Sequence, residues 1–165
     1  MTTSSPKTNP DQNSAMDDPQ EKYGEREIAE GELITFPNPR IGRRYKVEIS
    51  LPEFTCKCPF SGYPDFATIE LTYVPNEKVV ELKALKLYIN SYRDRYISHE
   101  ESVNQILDDF VAVADPLEIK VRGDFKPRGN VHTVVEVEHL KQNWSKWYSP
   151  LFQGGLGGIS YNLKT

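Results

Sequence analysis

The 165-residue chain has only two cysteines, Cys56 and Cys58, and they stand two positions apart. Thiols so close cannot form an unstrained cross-link, and two of them are too few for a tetrahedral zinc site without other ligands. Thiol chemistry or simple burial remains for them. A basic excess is missing as well: 20 Lys and Arg face 24 Asp and Glu, a formal charge of −4, which argues against direct binding to a nucleic-acid backbone. No apolar run approaches the roughly 18 residues of a membrane span, and the start of the chain lacks the basic-then-apolar order of a signal peptide. A cytoplasmic chain is therefore expected, with no membrane association. In that compartment the Asn-Trp-Ser sequon at Asn143 has no meaning. Neither a GxGxxG nor a Walker fingerprint occurs, so a dinucleotide, if one binds, is held without a Rossmann fold.

What is present divides the chain unevenly. Residues 1–32 are rich in Ser, Thr, Pro, Asp, Glu and Gln and poor in large apolar side chains; such a segment cannot offset its ordering entropy, and a disordered tail is expected. Residues 33–165 form the single expected domain. Within it, Tyr45, Val47, Ile49 and Leu51 alternate with polar residues over 43–51, the period of a half-buried strand. A second strand over 65–74 places Ala67, Ile69, Leu71 and Tyr73 on one face. Between them, 52–64 reads as a proline-fixed loop carrying both cysteines. A helix over about 79–92 follows, then a second helix announced by the capping box Ser98…Glu101 and stopped at Asp115-Pro116. Leu117, Ile119 and Val121 begin a third strand, and Val131, Thr133, Val135 and Val137 mark a fourth after a turn at 126–130. The order ββααββ predicts an α+β domain, an antiparallel four-stranded sheet with two helices on one face. So thin a core makes oligomerisation an expectation. The C-terminal aromatics Trp144, Trp147, Tyr148 and Phe152, beside two Gly-Gly pairs, can pack on a neighbour or cover an edge.

Three groups of residues are able to carry chemistry. The segment FTCKCPFSGYPDFA presents Cys58 before Pro59, seven residues ahead of Asp65 at the mouth of the second strand. A cysteine nucleophile needs its thiolate, and a nearby carboxylate can take the thiol proton and return it to a developing nitrogen anion. The bland reading makes Cys58 a small buried hydrophobe and Asp65 a turn residue. In ELKALKLY, Lys83 and Lys86 lie three apart on one helical surface, where two ammonium groups suit a phosphate, although a solvated face has the same look. Glu100, after His99, suits the amidine edge of a purine-like ring or merely compensates a helix dipole. Arg40, Arg43, Arg44 and Lys46, and separately Arg128, meet either phosphate or solvent.

Taken together these pieces resemble the QueF-type nitrile reductases, NADPH-dependent 7-cyano-7-deazaguanine reductases in their short single-module form. The matching segments are PEFTCKCP, GYPDFATIELTYVP, ELKALKLY, SYRDRY, His99-Glu100 and FKPRG, in order over about residues 34 to 140. The resemblance implies a tunnelling fold, similar to that of GTP cyclohydrolase I, whose subunits join their sheets into an oligomeric barrel. Paired pentameric rings, a decamer, are implied, with active sites between neighbours. By position, Cys58 resembles the nucleophile, Asp65 the general acid and base, His99 a residue beside the reacting carbon, and Glu100 the anchor of the guanine-like edge. Glu81, Lys83 and Lys86 are similar to the NADPH signature, with Arg128 a further cofactor contact. No metal is implied.

The implied reaction suits those side chains. A nitrile is a poor hydride acceptor, and addition of the Cys58 thiolate turns it into a more electrophilic thioimide while Asp65 protonates the nitrogen; two NADPH per substrate complete the amine, as queuosine biosynthesis for tRNA modification requires. Two departures stand out. Ser98 precedes His99 where the family pattern has an aromatic residue able to stack on the substrate, and Asn130 follows Arg128-Gly129 in place of a glycine. The runner-up is a purine or pterin cyclohydrolase of the same fold, disfavoured because His99, His132 and His139 make no convincing metal set with the cysteines. A ring that binds ligand without turnover is the third reading, against which intact Cys58 and Asp65 weigh.

Overall fold

A computed structural model describes residues 22–29, 31–142 and 144. The chain passes through helix α1 (Tyr23–Ala29), strands β1 (Thr35–Pro37), β2 (Val47–Lys57), β3 (Pro64–Val74) and β4 (Lys78–Val80), and helix α2 (Leu82–Asn90). A 3-10 turn (Ser91–Asp94), helix α3 (His99–Ala114) and strands β5 (Glu118–Arg128) and β6 (Val131–Leu140) follow. The four long strands form one antiparallel sheet in the order β2-β3-β5-β6, the ββααββ arrangement that the alternation predicts.

Strict alternation makes one sheet face apolar. Ala67, Ile69, Leu71 and Tyr73 of β3 and Ile119, Val121 and Phe125 of β5 are all buried there, beneath Val103, Ile106 and Phe110 of α3 and Leu85 and Ile89 of α2. A core aromatic such as Phe110 is worth about 3–5 kcal/mol against alanine. Gly123 lets α3 approach β5: a Cβ there would lie 2.6 Å from Val103 Cγ2. The Tyr88 hydroxyl joins α2 to α3 by donating to Asp109 Oδ2 at 2.7 Å.

Ends and short elements depart from the sequence pattern. The first long strand begins at Val47 rather than Arg43 and runs on to Lys57, through a register shift between Leu51 and Phe54. Pro52 thus sits in a bulge, where proline removes no ladder bond, and the expected loop over 52–64 shrinks to the stretch between Lys57 and Pro64. Strands β1 and β4 pair with each other; three residues are too few for alternation to register. They also displace the expected start of the first helix from Val79 to Leu82, because the Glu81 carboxylate caps α2, accepting from the Lys83 and Ala84 amides. Ser98 caps α3 as predicted, accepting from Glu101 N at 3.1 Å, and Asp115 closes it at a left-handed φ of 45°.

Helix α1 lies inside the stretch whose composition suggested a tail. Seven residues are too few to hold a helix alone in water, and contacts with α2 supply the support: Glu27 pairs with Lys83 at 3.4 Å, and Gly31 packs so near Leu87 that a Cβ would stand 2.9 Å from its Cβ. The expectations for residues 1–21 and for Trp147, Tyr148, Phe152 and the glycine pairs lie outside the described residues. Trp144 is described, and its indole nitrogen donates to the buried Glu118 at 3.4 Å.

Candidate active site

Strand parity places the two cysteines. Cys56 and Cys58 continue the core-facing series from Phe54, and Asp65, the register partner of Cys56, continues the series of Ala67 on β3. The apolar face therefore ends in a thiol, a second thiol and a carboxylate. Beyond Lys57 the strand is tied to the segment before α3: Lys57 N donates to Arg95 O at 2.9 Å, and Ile97 N to Lys57 O at 3.0 Å. That bridge brings the start of α3, with His99, to the same end of the sheet. The loop after Cys58 closes on itself, since Cys58 N donates to Tyr63 O at 2.8 Å and Gly62 N to Cys58 O at 2.9 Å. Gly62 carries the left-handed φ of 71° that the turn requires.

Asp65 is 7 % exposed and has two partners. Its Oδ1 lies 2.8 Å from Arg128 Nη1, and its Oδ2 lies 3.3 Å from His99 Nε2. The His99 ring stacks on Phe125, with centroids 3.8 Å apart and planes 11° from parallel. Arg128 follows a register shift after Phe125 and stands just before a hairpin turn in which Gly129 and Asn130 both have positive φ, 57° and 65°. Two-residue hairpin turns of this hand need such values, and Asn130 meets the demand although it is not glycine.

The two thiols are driven in opposite directions. The Ser61 hydroxyl, the Arg128 guanidinium and the backbone amides of Ser61 and Phe60 hydrogen bond to the Cys58 sulfur and pull its pKa down to about 6. Burial pushes Cys56 up to about 12, with Asp65 and Cys58 adding to the effect. Of the two, Cys58 is the thiol that ionises the more readily near neutral pH, and Cys56 stays protonated, its Sγ donating to Ile97 O at 3.9 Å.

Cys58, Asp65, His99 and Arg128 thus form one cluster. Glu100 follows His99 in the exposed first turn of α3. Glu81 caps the start of α2, and Lys83 and Lys86 lie in its first and middle turns, with no contact to that cluster among the described residues; the Glu81 carboxyl lies below the usual range because amides bond to it. Arg128, read from sequence as a cofactor contact, lies on Asp65 and Cys58. Of the other basic residues, Lys46 pairs with Glu48 and Arg44 lies over the Trp144 ring. Sequence reasoning missed Ser61 and Phe125. Ser61 was readable only as part of a Ser-Gly turn, and Phe125 only as one more core aromatic. Ser98 is spent as a cap, while Phe60, Tyr63 and Tyr96, all exposed, stand on or against the Cys58 loop.

Residues 64–144 match the family model for QueF-like proteins. The NADPH-dependent 7-cyano-7-deazaguanine reductase of Trichodesmium erythraeum is 82% identical over 120 residues, 73% of this chain and 85% of that protein. The protein of the same name from Acaryochloris marina is 76% identical over 136 residues, covering 82% and 94% of the two chains. Among solved structures, the archaeosine synthase QueF-Like in the apo form superimposes with a TM-score of 0.53 at 24% identity, over 60% of this chain and 95% of that one; that likeness concerns the fold and is the tunnelling fold. At such identity over so much of both sequences, this chain belongs to the QueF-type NADPH-dependent 7-cyano-7-deazaguanine reductase family.

Proposed function

We propose that the chain reduces the nitrile of 7-cyano-7-deazaguanine to the aminomethyl group, with NADPH as reductant, through a covalent thioimide on Cys58. The observation that carries this reading is the gathering of Cys58, the buried Asp65, His99 and Arg128 at one end of the sheet, with Asp65 2.8 Å from Arg128 and 3.3 Å from His99, where Ser61 and Arg128 lower the Cys58 pKa. A thiolate is the form that adds to a nitrile carbon. As the C–S bond forms, the nitrile nitrogen takes a proton from the Asp65–His99 pair, across which a proton can pass at 3.3 Å. Cys58 leaves again as thiolate when the first reduced carbon collapses to the imine. Each nitrile consumes two hydrides and two protons on the way to the amine, and NADPH supplies one hydride at a time.

The rest of the chain is arranged around that step. Glu100 takes the guanine-like edge of the substrate, where a carboxylate accepts two parallel N–H bonds. Lys83 and Lys86, both exposed on one face of α2, fit the phosphates of the dinucleotide, with Glu81 fixing the helix end that presents them. Edge strands β2 and β6, each with one side unpaired among the described residues, support sheets joined into a ring, and we read the assembly as two pentamers. Residues 33–165 are the reductase domain, and the setting is cytoplasmic queuosine biosynthesis.

The test is steady-state NADPH oxidation with the nitrile, the product identified by mass. Two NADPH consumed per aminomethyl product, with none consumed by Cys58→Ala, is the expected result. Turnover by Cys58→Ala at the wild-type rate removes the covalent mechanism.

A further inference from the structure

Arg128 occupies a place that its half-exposed position at a hairpin does not require. Its Nη1 is 2.8 Å from Oδ1 of Asp65, a carboxylate that is almost wholly buried, and its guanidinium is near enough to the Cys58 sulfur to lower that thiol's pKa. Arg128 therefore acts on both groups. The other nearby basic groups are engaged differently: Lys57 pairs with Asp94 at 2.8 Å and lies over the Tyr96 ring, while His99 contacts Asp65 at 3.3 Å.

A thiolate and a carboxylate at one strand end repel each other, and more strongly away from water. The planar fork of arginine can serve two acceptors at once, which the point charge of a lysine does less well. The backbone places Arg128 for this contact: it lies at the end of β5 after a register shift following Phe125, and the turn at Gly129 and Asn130 returns the chain to β6 directly behind it. We propose that Arg128 is a positioning residue, the shared counter-ion that holds the Cys58 sulfur and the Asp65 carboxylate together in the resting site. The proposal rests on Cys58 being the nucleophile, and it gives Arg128 a task other than cofactor binding.

At this strand end Cys58 stands with Cys56 of β2, Asp65 of β3 and Arg128 of β5, while His99 of α3 reaches Asp65 and Lys57 pairs with Asp94. Of these, Arg128 is the cation whose loss leaves Cys58 and Asp65 unbalanced. Burial and the adjacent carboxylate then act in one direction, upward, on the thiol.

The test needs neither substrate nor NADPH. The rate of alkylation of Cys58 by iodoacetamide is followed against pH, with the labelled peptide identified by mass, for wild type, Arg128→Met and Arg128→Lys. Wild type is expected to show a midpoint near 6; Arg128→Met moves it up by at least one pH unit, which slows alkylation below both midpoints about tenfold. Arg128→Lys gives a smaller upward move, and carries the test alone if Arg128→Met does not fold. In steady state both variants lose kcat with little change in the KM for NADPH. An unmoved midpoint overturns the proposal; if the KM for NADPH then rises, Arg128 is a cofactor contact. A shifted profile in a protein that reduces no nitrile leaves the clamp standing and removes the reductase reading.

Discussion

Phe125→Leu separates the role of the core from that of the site. Phe125 is buried and makes two aromatic contacts, edge-on to Phe54 with centroids 6.1 Å apart and stacked on His99 at 3.8 Å. Leucine preserves much of the volume and abolishes both. Each aromatic pair is worth about 0.5–1.5 kcal/mol beyond burial, so the substitution is expected to cost roughly 1–3 kcal/mol. Urea unfolding at fixed protein concentration measures that loss as a lower midpoint with the slope unchanged. The effect on catalysis is expected to be larger than the loss of stability suggests. Without the ring beneath it His99 can rotate, and Asp65 Oδ2 loses a partner now 3.3 Å away; displacement of a proton-carrying group by about 1 Å can cost a hundredfold in rate. A fall in kcat of more than tenfold with the KM for NADPH unchanged is therefore expected. If Phe125→Leu is destabilised as calculated yet turns over at the wild-type rate, the stack does not position His99 and that part of the reasoning is wrong.

Further outcomes follow from the same geometry. Ser61→Ala removes the largest influence lowering the Cys58 pKa, so adduct formation, which needs the thiolate and fades as pH falls through about 6 in wild type, is expected to fade at a higher pH; stopped-flow mixing with the nitrile at several pH values measures it, and Ser61→Thr keeps the wild-type profile. Lys83→Ala and Lys86→Ala are expected to raise the KM for NADPH severalfold while leaving adduct formation without NADPH intact. Gly123→Ala places a methyl 2.6 Å from Val103 Cγ2 and is expected to lower stability by about 1–3 kcal/mol through overpacking, seen as a lower thermal midpoint.

The long strands were legible because period-2 alternation is a strong, local signal, and α3 because Ser98 and Asp115 mark its ends. What escaped the sequence was decided by partners remote in the chain. Strands β1 and β4 exist because three residues of each find the other across forty positions, and α1 because Gly31 and Glu27 meet α2. Pro52 read as a loop signal because a bulge that accommodates proline depends on the register of the neighbouring strand. At the site, Cys58 and Asp65 were visible as residue types in a proline-held segment. The opposite titration of Cys56 and Cys58 was not, since it depends on which sulfur meets Ser61 and Arg128 and which is sealed in the core. Arg128 lies 63 positions from Asp65 and shows its partner only when β3 and β5 are side by side.

The central claim is that Cys58 makes a covalent bond to the nitrile before any hydride arrives. Intact-mass measurement of the protein mixed with 7-cyano-7-deazaguanine in the absence of NADPH tests it most directly. A mass increase of one substrate molecule is expected on the wild type, none on Cys58→Ala, with its disappearance when NADPH is added. A wild-type protein that consumes NADPH with the nitrile but never carries that added mass, even when NADPH is withheld, contradicts it.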